Sequence, residues 1–198
     1  MRMNGTLYQQ DGKNYFLLND TEIYYKNLEI TYNHIVNDIQ ASFLYFAYVT
    51  LCASTLEASL NQIIFAFYID KFGPNSYKKY SESLINMGFS NKLHTIPNIV
   101  SNSKFCIDTN CFTIKKLDEL IVLRNRILHK KPMLRETDYD LNNIETGMEV
   151  TFKHDNYIEK IDKSHCLHFH KAIMNFKKDF VNPFFDKTLS PNGLIMAV

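Results

Sequence analysis

The pattern of apolar and polar positions along the chain predicts helices almost throughout. Residues 21–72 contain neither Gly nor Pro, and a stretch of that length without a breaker must be mainly helical. We expect two helices with a bend near Asn37–Gln40. The second, about Ala41 to Lys71, is apolar almost all round at its start, which is typical of the central helix of a bundle. Gly73 and Pro74 should end it.

The later helices are shorter, and turn or capping residues mark their ends. The expected elements are a helix from Ser76 to about Met87, capped by Asn75 and ended by Gly88; a short helix Asn91–Val100 interrupted near Pro97; a loop over 101–111; a helix from Thr113 to Lys130 or Lys131; and a last long helix from Asp162 or Ser164 to about Phe180, ended by Pro183. Between them, 133–160 is predicted to be irregular with a small β-hairpin near 148–160. We interpret 1–198 as a single all-α domain, an up-and-down bundle with an irregular or short-strand lead-in at 1–19. The apolar tail at 186–198 should dock on it.

Composition and charge narrow the classes of function. The chain has 22 Lys and Arg against 21 Asp and Glu, and 45% of its 198 residues are apolar. Such a chain is neither a disordered tail nor a strongly basic nucleic-acid binder, so any nucleic acid must be bound at a local site. The N-terminus lacks a signal-peptide pattern, and we interpret the uncharged stretch 39–56 as a buried helix rather than a membrane span. Four cysteines do not form a disulfide framework in a chain of this length, and we expect a soluble, cytoplasmic protein.

One arginine stands on an apolar helix face. Advancing about 100° per residue from Ile114 places six apolar side chains in an arc of about 140°. They are Ile114, Leu117, Leu120, Ile121, Ile127 and Leu128. Arg124 falls near the middle of this arc, and a guanidinium stays protonated and cannot be left unpaired in a dry core. It must therefore face a carboxylate, an anionic ligand or a wet interface; a structural ion pair is the plain alternative.

Two further polar residues accompany Arg124 on the same helix. Asn125 and His129 are four positions apart and therefore share one side of it, so Asn125 could hold the imidazole in one tautomer. His129 falls in the last turn, where the helix dipole favours its protonated form. An isolated His at a helix end is usually a capping residue, but an Arg, an Asn and a His together indicate a site.

The segment Leu123–His129, LRNRILH, resembles the R-x4-6-H motif of the HEPN superfamily. These compact α-helical bundle domains include many ribonucleases of toxin–antitoxin, abortive-infection and CRISPR systems. The resemblance covers about residues 40–185, where a long apolar helix, shorter helices, the motif at a helix end and a further long helix follow in the expected order. A subgroup of the family has a modifiable Tyr two residues after the His; Lys131 stands there in this chain, so that form of control is not expected.

The resemblance implies a metal-independent endoribonuclease, a toxin or anti-phage defence effector. Arg124 would bind the scissile phosphate, His129 would move protons at the 2′-hydroxyl or the leaving 5′-oxygen, and Asn125 would support them. Arg126, Lys130 and Lys131 would contact the RNA backbone. The family's enzymes generally act as dimers whose two motifs face one cleft, so a homodimer, with an antitoxin or defence-system partner, is expected. No cofactor or metal is expected, since RNA supplies its own nucleophile. The alternative is a non-catalytic dimeric scaffold, regulator or nucleotide-binding protein.

A polar line on the central helix supplies a partner for the arginine. Thr50, Ser54, Glu57 and Asn61 recur at spacings of four, three and four on an otherwise apolar helix. Glu57 is the best candidate partner for Arg124, because a carboxylate would orient the guanidinium and partly offset its charge. An ordinary solvent-facing stripe would produce the same pattern.

A zinc site is the rival interpretation of the Cys and His residues. Cys106 and Cys111 flank a predicted loop, and His165, Cys166, His168 and His170 cluster at the start of the last helix. The Cys-x4-Cys spacing is looser than a zinc knuckle and no second C-x-x-C accompanies it. Ordinary buried thiols are therefore the favoured interpretation.

Overall fold

The chain folds mainly into α-helices, as the sequence predicts. The computed structural model describes residues 5–38, 42–128 and 160–198. Its elements are the strands β1 (Gly5–Gln10), β2 (Lys13–Leu18), β3 (Phe105–Ile107) and β4 (Ile195–Ala197), the helices α1 (Thr21–Asn37), α2 (Ser42–Phe72), α3 (Tyr77–Ile85), α4 (Phe89–Val100), α5 (Phe112–Leu128), α6 (Lys163–Phe176) and α7 (Asn182–Phe185), and a π-helical turn over Lys177–Val181. The hairpin predicted near 148–160 lies outside the described residues except for position 160.

Helix α2 is the centre of the bundle. It packs against α1, α3, α4, α5 and α6. Leu56, Leu60, Ile63 and Ile64 are fully buried along it, because its nearly all-round apolar character lets several helices pack on it at once. By length and composition alone α2 could also cross a membrane, a test that core helices of soluble proteins pass too; 44% of its tested window is buried inside the bundle.

The ends of α2 follow the sequence signals closely. Helix α1 ends at Asn37 and α2 begins at Ser42, in keeping with the predicted division near Asn37–Gln40. Gly73 ends α2 with a φ of +77°, which a residue with a Cβ rarely adopts. Asn75 does not cap the next helix as predicted. Its side chain instead accepts a hydrogen bond from the Tyr15 hydroxyl at 2.6 Å, which fastens the N-terminal hairpin to this turn.

Two small antiparallel sheets form within the segments that the sequence predicts as lead-in, loop and tail. β1 pairs with β2 in a hairpin within the first 19 residues, the short-strand form of the expected lead-in. β3 lies inside the predicted loop over 101–111 and pairs with β4 from the tail. Leu194 and Ile195 are buried at that pairing, so the apolar tail docks on the domain as expected.

Two predictions about prolines are wrong: Pro97 does not interrupt its helix, and Pro183 does not end the last helical run. Pro97 lies inside α4, and the Ser101 amide still donates to the Pro97 carbonyl at 3.2 Å. The prediction of an interruption there is wrong, because Ile96, Pro97 and Val100 are buried, and this burial offsets the lost hydrogen bond. Pro183 lies at the start of α7, where a missing N–H costs little, so the helical run continues to Phe185.

Candidate functional site

Helix α5 carries Arg124 at the edge of the core rather than inside it. Ile114, Leu117 and Leu120 are fully buried, as the apolar arc predicts. Toward the end of the helix the arc emerges from the core, and Leu128 is 51% exposed. The Arg124 side chain is 24% exposed, so it is packed against protein and is also accessible to solvent.

Within the described part of the chain, three neighbours contact the Arg124 guanidinium. Its Nη2 donates to Glu57 Oε2 on α2 at 3.5 Å, and its Nη1 donates to Asn125 Oδ1 at 3.0 Å. Its central carbon lies 5.8 Å from the centroid of the Phe89 ring on α4, within cation–π range. The predicted partnership of Arg124 with Glu57 is therefore present in the structure. Asn125 accepts a hydrogen bond from Arg124, and its predicted role in orienting His129 involves a residue outside the described ones.

A lysine that the sequence analysis missed completes this cluster. The Lys92 side chain, on α4, is only 3% exposed, and its Nζ donates to Asn61 Oδ1 at 2.9 Å. Nζ also lies 3.7 Å from Glu57 Oε1, so the two oxygens of Glu57 face two different cations. Burial lowers the pKa of Lys92, and the Glu57 carboxylate opposes that shift. We call Glu57, Asn61, Lys92 and Arg124 the shared-carboxylate cluster.

The signal for Lys92 was present in the sequence. Phe89, Leu93, Ile96 and Val100 recur at helical spacing and form the buried face of α4, and Lys92 falls on that face. The same reasoning that singled out Arg124, a charge on an apolar arc, applies to Lys92 without change. The predicted interruption near Pro97 obscured this face, because it divided the arc between two elements.

The polar line on α2 has two parts. Glu57 and Asn61 belong to the shared-carboxylate cluster. The hydroxyl of Thr50 donates to the Phe46 carbonyl one turn earlier, and Ser54 is exposed. Ser54 therefore faces solvent and Thr50 is partly buried, whereas Glu57 and Asn61 both contact Lys92.

Of the other predicted site residues, only Arg126 is described by the structure, and it does not belong to this cluster. His129, Lys130 and Lys131 lie outside the described residues. Arg126 projects about 200° around α5 from Arg124. It lines a separate surface depression with Asp118, Glu119 and His165.

His165 and His170, two residues of the zinc interpretation, have other partners. His165 and Asp162 form a reciprocal capping box at the start of α6, whose hydrogen bonds lower the pKa of Asp162 to about 2. His170 Nδ1 lies 2.6 Å from the Tyr48 hydroxyl, and its ring stacks on Tyr32 with centroids 3.6 Å apart. Cys166 is buried, which raises the pKa of its thiol to about 12. Within 5–38, 42–128 and 160–198, no group of three or more His, Cys, Asp or Glu residues is arranged to hold a metal ion.

Comparison of the chain with protein-family models, curated proteins and solved structures found no match. The residues and their geometry must therefore carry the functional argument.

Replacing Arg124 should cost little folding stability. In Arg124→Gln, Glu57 keeps Lys92 as a partner, and a partly exposed ion pair at 3.5 Å contributes weakly, so the free energy of unfolding should fall by less than about 1 kcal/mol. Urea unfolding followed by circular dichroism measures this. Leu120→Ala on the same helix is the positive control and should cost about 2–5 kcal/mol. A loss above about 2 kcal/mol in Arg124→Gln would show that the arginine serves the fold.

Proposed function

We propose that this protein is a metal-independent endoribonuclease of the HEPN type. The observation that carries the proposal is the state of Arg124, whose guanidinium is oriented by Glu57 and Asn125 while the side chain remains 24% exposed. A purely structural arginine on an apolar arc would be expected deep in the core with its donors fully used. An arginine held in place at the surface is suited to accept an anion such as a phosphodiester, which matches a guanidinium fork in geometry.

The proposed reaction uses the ribose of the substrate as the nucleophile. The 2′-oxygen attacks phosphorus, a bond forms between them, and the bond from phosphorus to the 5′-oxygen breaks. A base removes the proton of the 2′-hydroxyl and an acid returns a proton to the leaving 5′-oxygen, a role that an imidazole such as His129 fills near neutral pH. Arg124 stabilises the negative charge that develops on the phosphoryl oxygens. The products are a 2′,3′-cyclic phosphate and a 5′-hydroxyl.

The resemblance to the HEPN motif supplies the biological setting of this proposal. The protein would be a toxin or defence effector that acts on cellular or phage RNA and is controlled by a partner protein. Lys130, Lys131 and Arg126 would add positive charge for the RNA backbone.

One observation favours the second candidate, a non-catalytic dimeric scaffold or nucleotide-binding regulator. Arg124 already has a carboxylate and an amide within its own chain, as a structural arginine would. The first candidate cleaves RNA and the second does not, so an RNA-cleavage assay distinguishes them.

Cleavage of RNA in excess chelator tests the proposal. Wild-type protein should cut single-stranded RNA, leaving cyclic phosphate ends, and should leave an all-deoxy strand of the same sequence intact. Arg124→Ala and His129→Ala should each lose at least about 100-fold in kcat/KM, the usual scale for a charge-stabilising or proton-transferring group. Arg124→Lys should fail nearly as badly, because a point charge cannot replace a bidentate fork.

Lys116→Ala is the matched control for these variants. Lys116 lies on the same helix and pairs with Glu119 at 2.6 Å, so its loss removes a charge without touching Arg124. Its activity should stay within about twofold of wild type. Three results would overturn the assignment: no cleavage by the wild type, loss of cleavage on chelation with 5′-phosphate ends, or an Arg124→Lys variant that keeps most of its activity.

We also propose that the protein acts as a homodimer through the exposed face of α2. Phe43, 74% exposed, and Ala47, Thr50 and Ser54 lie on the same side of α2 as Glu57. Small side chains between an exposed Phe and the cluster would let a second copy approach Arg124 closely.

Light scattering at micromolar concentration tests the dimer. The measured mass should be twice the chain mass of 23.2 kDa. A stable interface between two such chains should bury more than about 1,200 Å² in total. Phe43→Arg should yield a monomer, whereas Leu7→Arg, at a 69% exposed position on β1, should stay dimeric. A monomeric wild type would contradict a composite site, and dissociation by Leu7→Arg alone would place the interface elsewhere.

A further inference from the structure

Lys92 is placed where a lysine is costly. The residue is 2% exposed, and burying an ammonium group is unfavourable unless it is paired. Its Nζ contacts Asn61 Oδ1 at 2.9 Å and Glu57 Oε1 at 3.7 Å. Leu93 and Ile96 on the same helix show that this face of α4 is otherwise apolar core. A Met of similar length would fit such a position without a charge, so the charge needs an explanation.

The distances from Glu57 to its two cations explain why a charged residue occupies position 92. Ion pairs with good geometry have N···O distances of about 2.7–2.9 Å. Glu57 is 3.5 Å from Arg124 and 3.7 Å from Lys92, so it is closed onto neither cation. One negative charge is shared between two positive charges, and the cluster carries a net charge of one positive unit, located where Arg124 meets solvent.

We propose that Lys92 is a positioning residue that keeps Arg124 available for an anion. By attracting Oε1 of Glu57 from 3.7 Å, Lys92 opposes a rotation that would turn both carboxylate oxygens onto the guanidinium in a bidentate pair. Glu57 then orients Arg124 through one oxygen without neutralising it. The anion is a phosphodiester if the proposed ribonuclease function is correct, but the charge balance itself requires only an oxyanion.

The proposal predicts opposite effects for Lys92 and Glu57. In Lys92→Met, Glu57 pairs fully with Arg124, and the affinity of Arg124 for an anion should fall by roughly tenfold. In Glu57→Gln the affinity should hold or increase, because the competing charge is gone. In the double variant Lys92→Met, Glu57→Gln the affinity should return to within about threefold of wild type. A lysine that merely filled the core would show no such rescue.

The small number of arginines makes the measurement direct. The chain has Arg2, Arg124, Arg126 and Arg135, so a ¹⁵N-labelled sample shows at most four side-chain Nε–Hε signals, and Arg124→Lys identifies one of them. Titration with inorganic phosphate at constant ionic strength then reports the anion affinity of Arg124 itself. Lys116→Met is the matched control, since it removes one lysine of an exposed Lys–Glu pair on α5 and should leave the titration unchanged.

The outcomes are distinct. Weak binding in Lys92→Met with recovery in the double variant supports the proposal. Equal affinities in wild type and Lys92→Met, a double variant as weak as Lys92→Met, or no response of wild-type Arg124 to phosphate would each overturn it. Circular dichroism and thermal unfolding check that Lys92→Met is folded. If it is not folded, the phosphate affinity of the double variant, which leaves no buried charge unpaired, still tests the proposal. If phosphate follows the predicted pattern but RNA is not cut, the ribonuclease function fails and the role of Lys92 stands.

Discussion

The carboxylate of Glu57, shared between a buried lysine and a partly exposed arginine, is the interaction on which the candidate site depends. Charges are rarely buried without partners, because an ionised group loses much of its hydration inside a protein. Here α2 supplies the anion, while α4 and α5 each supply one cation. The cluster therefore joins these three helices at a polar point in an otherwise apolar bundle. It also leaves one positive charge at the surface, where Arg124 ends.

The bundle makes this arrangement stable by burying apolar surface around it. Leu56 and Leu60 on α2 flank Glu57 along the chain and are fully buried, as are Leu93 on α4 and Leu120 on α5. The positions of Glu57, Lys92 and Arg124 are thus set by core packing rather than by the weak ion pairs themselves. This separation is suitable for a binding site: the guanidinium can exchange one of its partners for a ligand while the fold stays unchanged.

Local sequence patterns predict the helices and the Arg124–Glu57 pair of the cluster. They fail where contacts between distant segments determine the structure. The absence of Gly and Pro over 21–72 predicts α1 and α2. The charge on an apolar arc, taken with the polar line on the central helix, predicts that Arg124 pairs with Glu57. The β3–β4 pairing joins residues 105–107 to residues 195–197, and no local pattern signals so remote a contact. Pro97 is held inside α4 by burial, which overrides its helix-breaking tendency, and the same misjudged break hid Lys92.

The central claim is that Arg124 is held at the surface to receive an RNA phosphate. A crystal structure of His129→Ala with a bound, uncut RNA strand tests it most directly. The account predicts a non-bridging phosphate oxygen within about 3.2 Å of a guanidinium nitrogen of Arg124. It also predicts that Lys92 remains on Asn61 and Glu57 in that complex. RNA bound at another surface, with Arg124 closed onto both oxygens of Glu57, would contradict the account.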